Sequence, residues 1–178
     1  MKVFFIRHAE GYHNLSTEGY DILYPDLTEK GIDQAFNLGM MLSLIEFDKI
    51  IVSPLKRTLK TAELAFGKKN FFINEDIREY IGHNCDFRET KQELEDMFPY
   101  VNFDILIESN INQLENDNDV DKRMSNFFNW LSENNKYQNI AIVSHGGFLN
   151  RFFRKYHAEL DIKYFDFLPN CGVRVCDL

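Results

Sequence analysis

The chain has 178 residues, a length that one domain around one core accounts for, and 44% of them are hydrophobic, with 17 phenylalanines among them. That composition excludes global disorder. Lysine and arginine number 20 against 28 acidic residues, a net charge of −8, which argues against non-specific binding to nucleic acid or an anionic membrane while leaving room for a local basic cluster.

No apolar run approaches the roughly 18 residues of a membrane span. The first one, Val3 to Ile6, stops at Arg7, too short for the core of a secretory leader. Three cysteines, Cys85, Cys171 and Cys176, are few and odd in number, so reduced thiols and a cytoplasmic setting are expected.

In chain order, Lys2 to Ile6 reads as a buried strand ending at Arg7-His8. Thr28 is placed to cap a helix running to about Glu46, with Ile32, Ala35, Gly39 and Leu42 on one face. Lys49 to Val52 is a second strand. Ser53-Pro54 then reads as N-cap and first helical residue of a helix ending at Gly67. Asn70 to Asn74 is a short third strand. Residues 78–118 are mixed and read as a lid or insertion within a single domain spanning 1–178. Asp119 is the expected cap of a helix carrying Val120, Met124, Phe127, Phe128 and Leu131 at helical spacing. Asn139 to Val143 is the clearest strand, followed by Ser144-His145-Gly146-Gly147 and an apolar helix from Phe148 to Tyr156; Gly172 to Asp177 is a last strand. Strands alternating with helices specify an α/β fold, a three-layer α/β/α arrangement around a mainly parallel central sheet.

Three strand ends share a design: Arg7-His8, Ser53-Pro54 with Arg57 one turn on, and His145-Gly146-Gly147 opening into a helix. Open α/β sheets bind ligands beyond the carboxyl ends of their strands. Two guanidiniums suit a phosphate, and the amides at a helix start suit an anion. A neutral imidazole there can take up a phosphoryl group covalently, with a second imidazole stabilising transition-state charge. This chemistry requires no metal and no cofactor.

Arg7-His8-Ala9-Glu10, Leu27-Thr28-Glu29-Lys30-Gly31 with Gln34-Ala35, Ser53-Pro54-Leu55-Lys56-Arg57 with Thr61-Ala62, and Ser144-His145-Gly146-Gly147 stand in this order. Together they resemble the signature segments of the histidine phosphatase superfamily, also called phosphoglycerate-mutase-like; Ala9 stands where that family usually has Gly. Arg78-Glu79, Gly82, Cys85-Asp86, Arg88, Phe98-Pro99 and Asn170-Cys171 further resemble the phosphoglycerate-mutase-like proteins of plants and fungi. The resemblance implies the superfamily's fold, with His8 as nucleophile and Arg7, Arg57 and His145 on the phosphoryl group. It further implies that Asn14 contacts the phosphate or orders its loop, and that Glu79 is the acid that protonates the leaving group and then activates water; the helix start places Gly146 beside the phosphate as well.

Glu10, Asp86 and Glu89 compete with Glu79 for the acid role. His13, His83 and Arg88 are candidate substrate contacts, and Tyr12, Tyr20, Tyr24, Tyr80 and Phe87 a candidate aromatic rim. The expected activity is phosphomonoester hydrolysis on a small phosphorylated metabolite or a phosphoprotein. The alternatives are transfer to a second hydroxyl, as in a phosphoglycerate mutase, or a non-catalytic phospho-ligand module on the same fold. A metallohydrolase built on the histidines is disfavoured, because paired arginines repel a divalent ion. A nucleic-acid partner is disfavoured for want of a basic stripe.

Overall fold

The computed structural model describes residues 1–109, 112–134, 136–163 and 166–178. The elements are β1 (Lys2–Arg7), α1 (Glu29–Leu42), β2 (Lys49–Val52), α2 (Lys56–Phe66), β3 (Phe72–Ile73), α3 (Lys91–Met97), α4 (Asp117–Glu133), β4 (Asn139–Ser144), α5 (Gly146–Lys155) and β5 (Val173–Asp177). The strands form one sheet in the order β3-β2-β4-β1-β5, parallel throughout except for β5, which runs antiparallel along β1 at the edge.

Side chains alternate across the sheet, so each strand feeds two cores. Val3 and Phe5 of β1 and Ile140 and Ile142 of β4 face one layer, where α4 supplies Val120, Met124, Phe127 and Leu131 and α5 supplies Phe148, Leu149, Phe152 and Phe153. Phe4, Ile6, Ala141 and Val143 face the other, where Leu38 and Leu42 of α1, Leu59 and Ala62 of α2 and Leu94 of α3 pack. The expected three-layer architecture is the observed one.

Several boundaries move for physical reasons. Helix α1 ends at Leu42 rather than near Glu46, and it buries Gly31, Ala35, Leu38 and Leu42, while Ile32 points outward. Helix α2 starts at Lys56, with Leu55 as an extended N-cap. Ser53 does not cap it, because its hydroxyl is paired with His145. Helix α4 is capped by Asn116, which accepts from the amides of Asn118 and Asp119, while the Asp119 carboxylate returns a bond to the Asn116 amide. Helix α5 starts two residues early, at Gly146, and β3 shrinks to Phe72–Ile73.

The stretch read as a lid divides. Residues 79–86 border the crevice, whereas Leu94, Phe98, Val101, Phe103 and Leu106 are core residues. Asn110 and Ile111 of that stretch lie outside the described residues.

The loop after β1 is tied to the start of α1. The amide of Thr28 donates to the Glu10 carbonyl, and Thr28 caps α1 through the Gly31 amide. A Cβ on Gly31 would lie 2.0 Å from that same Glu10 carbonyl oxygen. Gly31→Ala must therefore push the loop that follows His8. It is expected to cost ~1–3 kcal/mol, as other overpacked sites do, read as a drop of about 2–4 °C in Tm for each kcal/mol. Lys30→Ala, one residue away at an exposed position, should stay within about 0.5 kcal/mol of the parent.

Candidate active site

The β1–β4 register sets Arg7 opposite Ser144, so the residues that follow, His8 and His145, leave the sheet side by side with ring centroids 5.2 Å apart. Arg57 enters from the first turn of α2 and is buried. These elements border a cavity of about 320 Å³ whose walls include Arg7, His8, His13, Asn14, Arg57, Glu79, Asp86, Gly146, Gly147 and Arg151.

His8 is buried, and its Nδ1 lies 2.6 Å from the Ala9 carbonyl oxygen. A carbonyl only accepts, so Nδ1 carries the proton and Nε2 keeps its lone pair. Burial holds the ring's pKa well below the usual histidine range, and Arg57, His13 and Arg7 push it the same way. The result is a neutral imidazole with one nucleophilic nitrogen. His145 is likewise held neutral by burial and by Arg57. Its Nε2 meets the Ser53 hydroxyl at 2.7 Å, while its buried Nδ1 has no hydrogen-bond partner among the described residues.

The two clamp arginines are pinned from behind. Arg57 donates to the Cys85 carbonyl at 2.7 Å and pairs with Asp86 at 3.6 Å. Arg7 donates to the Leu168 carbonyl at 2.9 Å and lies over the Phe167 ring at 5.0 Å. The Nε atoms of both arginines are buried without a hydrogen-bond partner. Asn14 accepts from the Gly11 amide and from the Asn170 side chain, which also donates to the His8 carbonyl. Asn14 thereby orders the loop that follows His8.

Glu79 occupies the start of α5. Its Oε2 accepts from the Gly147 amide at 2.9 Å, and its Oε1 accepts from Phe148 at 2.7 Å and Tyr80 at 2.9 Å. The helix-start amides expected to greet a phosphate are thus spent on a side-chain carboxylate, at least at Gly147 and Phe148. Gly147 is required here, because a Cβ would sit 2.6 Å from Glu79 Oε1. Burial raises the Glu79 pKa, and Asp86 raises it further. Oε2, with one amide on it, is the oxygen with room for a proton.

The other candidates sort by position. His13 is buried beside His8, with ring centroids 5.3 Å apart. His83 stacks on Tyr20 at 4.8 Å along the cavity wall. Arg88 does not reach the cavity: it is fully buried and spent on Glu75, Glu108 and the carbonyls of Glu89 and Ile107. Asp86 pairs with Arg57 instead of Arg88. Glu10 turns away to Thr28 and Lys30, and Glu89 is buried outside the cavity wall. Of the aromatic rim only Tyr20 and Tyr80 line the cavity; Tyr12, Tyr24 and Phe87 do not.

Two lining residues escape the sequence reading. Arg151 sits one helical turn after Gly147, a spacing from which it could be found. Phe167 carries no local signal and arrives only through its contact with Arg7. Among the described residues, no group of three or more His, Cys, Asp or Glu side chains is arranged to hold a metal ion.

Keeping the imidazoles of His8, His13 and His145 neutral in the fold has a measurable cost. Burial lowers all three pKa values from 6.5, that of His13 to about 3. Below pH 6.5 the unfolded chain therefore binds protons that the folded chain refuses, and stability falls as pH falls. Glu79, whose folded pKa is raised, acts in the opposite sense and offsets part of this. Urea unfolding between pH 7.5 and 5 should show stability falling below pH 6.5. His13→Asn should flatten that slope by up to about 1.4 kcal/mol per pH unit, one proton's worth.

The model of the histidine phosphatase superfamily (branch 1) matches residues 3–178. Phosphoglycerate mutase-like protein 1 of Arabidopsis thaliana is 28% identical, with 97% of this chain and 79% of that protein covered. The adenosylcobalamin/alpha-ribazole phosphatase of Escherichia coli is 28% identical over 84% of this chain and 76% of that protein. The crystal structure of the alpha-ribazole phosphatase from Shigella flexneri superposes with a TM-score of 0.71 at 24% identity, covering 100% of this chain and 91% of that one. With the sheet, the paired strand-end histidines and the two pinned arginines in place, this chain belongs to the histidine phosphatase superfamily, branch 1.

Proposed function

We propose that the chain is a metal-independent phosphomonoester hydrolase that works through a phosphohistidine on His8. The observation that carries this reading is the state of His8: neutral, with Nδ1 committed to the Ala9 carbonyl and Nε2 left to attack, in a crevice that also holds the buried Arg57 and the half-buried Arg7. In this reading Arg7, Arg57 and the unpartnered Nδ1 of His145 take the non-bridging phosphoryl oxygens, and Asn14 and Gly146 border the phosphate.

As Nε2 bonds to phosphorus, the ring becomes cationic, and the Nδ1 hydrogen bond to Ala9 strengthens. Protonated Glu79 delivers its proton to the leaving alkoxide. The carboxylate that remains then takes a proton from the water that cleaves the phosphohistidine. The arginines supply the positive charge that stabilises the transferring group, and His145 adds a neutral N–H donor.

Water is the favoured acceptor because, among the described residues of the expected lid, only the stretch 79–86 borders the cavity, which leaves little chain to enclose a product alcohol. A cavity of about 320 Å³ suits a small phosphorylated metabolite better than a folded phosphoprotein surface. Three free cysteines, and no described helix long and apolar enough to cross a membrane, are consistent with the cytoplasm.

Rapid quenching with labelled phosphomonoester in EDTA should leave acid-labile, base-stable phosphate on His8. His8→Ala should lose that label and at least ~10³-fold in turnover. Label on a serine, cysteine or aspartate would overturn the mechanism. Conversion of 3- to 2-phosphoglycerate outrunning phosphate release would reassign the acceptor.

Glu79→Gln should slow phosphoryl transfer from an alkyl phosphate by ~10²-fold or more, the usual worth of a general acid. Transfer from p-nitrophenyl phosphate, whose leaving group needs no proton, should change little. Equal losses on both esters would remove Glu79 from the acid role.

A further inference from the structure

We propose that Arg123, together with Glu115, is the positioning residue for the acid–base carboxylate, holding the backbone on both sides of Glu79 so that the carboxylate stays on the start of α5. The inference rests on the reading of Glu79 as the acid.

Arg123 lies on α4, faces the sheet and is only 7% exposed. Its guanidinium has five N–H donors in a fixed plane, and the structure uses every one. Nη1 donates to the carbonyls of Asp76 and Arg78, both at 2.9 Å. Nη2 donates to the Glu79 carbonyl at 3.0 Å and to Glu115 Oε2 at 2.8 Å, and Nε donates to Glu115 Oε1 at 2.7 Å. Glu115 in turn accepts the Ile81 amide at 3.0 Å. The chain is therefore held at 76, 78, 79 and 81 by one ion pair.

The same guanidinium lies over the Phe148 ring, 5.4 Å from its centre, and the Phe148 amide is one of those that hold Glu79 Oε1. One side chain thus grips the backbone of Glu79 and packs on the helix start that receives its carboxylate.

Few other attachments do this work. Around Glu79 the backbone is a 3-10 turn, Glu75–Ile77, followed by residues 78–82 that belong to neither helix nor strand. Such a segment has no ladder of its own to fix it, so side chains must. A planar five-donor fork can satisfy three carbonyls and a bidentate carboxylate at once; an ammonium cannot. Loss of that fork would leave the phosphate clamp of Arg7, Arg57 and His145 intact, since none of those side chains bonds to Arg123. It would loosen only the acid.

The test compares Arg123→Lys with Glu79→Gln and the parent in single-turnover assays, using glycerol phosphate as an ester that needs a proton and p-nitrophenyl phosphate as one that does not, with vanadate affinity measured alongside. Arg123→Lys should slow transfer from glycerol phosphate by ~10- to 100-fold, the usual cost of a misplacement of about 1 Å. The nitrophenolate burst and vanadate affinity should remain within about threefold. In the double variant with Glu79→Gln, the Arg123→Lys loss should disappear, because the acid it positions is already gone.

Equal losses on both esters, no loss on either, or additive losses in the double variant would overturn the proposal while leaving Glu79 as the acid. A Glu79→Gln variant with no leaving-group dependence would instead bring down the reading on which the proposal stands. Should Arg123→Lys fail to fold, Glu115→Gln carries the same comparison with the same expected pattern, since it keeps an acceptor for the Ile81 amide while removing the charge that anchors the fork and pairs with Arg78 at 3.9 Å.

Discussion

Six residue pairs, from Lys2–Asn139 to Arg7–Ser144, join β1 to β4 in parallel. Every feature of the crevice depends on that register. It brings two strands to the same height, so that each releases a histidine at its last rung. A slip of one residue would send His8 and His145 to different levels and reverse which face each strand buries. The register is secured from both sides by alternating apolar side chains, Val3 and Phe5 against α4 and α5, Phe4 and Ile6 against α1 and α2. The phenylalanine-rich core therefore sets the catalytic distance as well as the stability.

A second constraint is electrostatic. The site gathers Arg7 and Arg57 with the buried imidazoles of His8, His13 and His145, and Arg151 borders the same cavity, in a protein whose net charge is −8. Desolvation prevents the imidazoles from adding to that charge, and the arginines reinforce the effect. The guanidiniums themselves are held by backbone carbonyls, by Asp86 and by the face of Phe167. In the proposed reaction a phosphoryl dianion meets donors already held in place and neutral rings.

Glu79 resolves a competition that an open helix start would create. Two amides at the head of α5 take its carboxylate instead of a phosphate oxygen. Hydrogen bonds to the anion favour its charged form, whereas burial and Asp86 favour the protonated one, and burial is the larger influence. A carboxyl balanced in this way can release a proton and recover one. Its backbone lies in an irregular segment, which is why the fork of Arg123 matters there and would be redundant within a strand.

Much of this site is legible in the residues alone. Short apolar runs ending in Arg7-His8 and Ser144-His145, and an Arg one turn into the helix after Ser53-Pro54, specify strand ends that carry phosphate chemistry, because strand periodicity and helix-start signals are local. Other features belong to the tertiary structure. The roles of Ser53 and Arg88 depend on partners 92 residues away in the first case and about 20 in the second, and a side chain free to cap a helix or line a crevice is claimed by whichever partner the packing brings closest. Phe167 reaches Arg7 from 160 residues along the chain, and Arg123 reaches the Glu79 carbonyl from 44. The sequence by itself determined the sheet, the paired histidines and their arginines, since backbone periodicity and residue chemistry suffice for those. Only the folded chain decided which buried charges pair, which amides meet the carboxylate and which segments border the cavity, because those outcomes turn on competition for partners within a few ångströms.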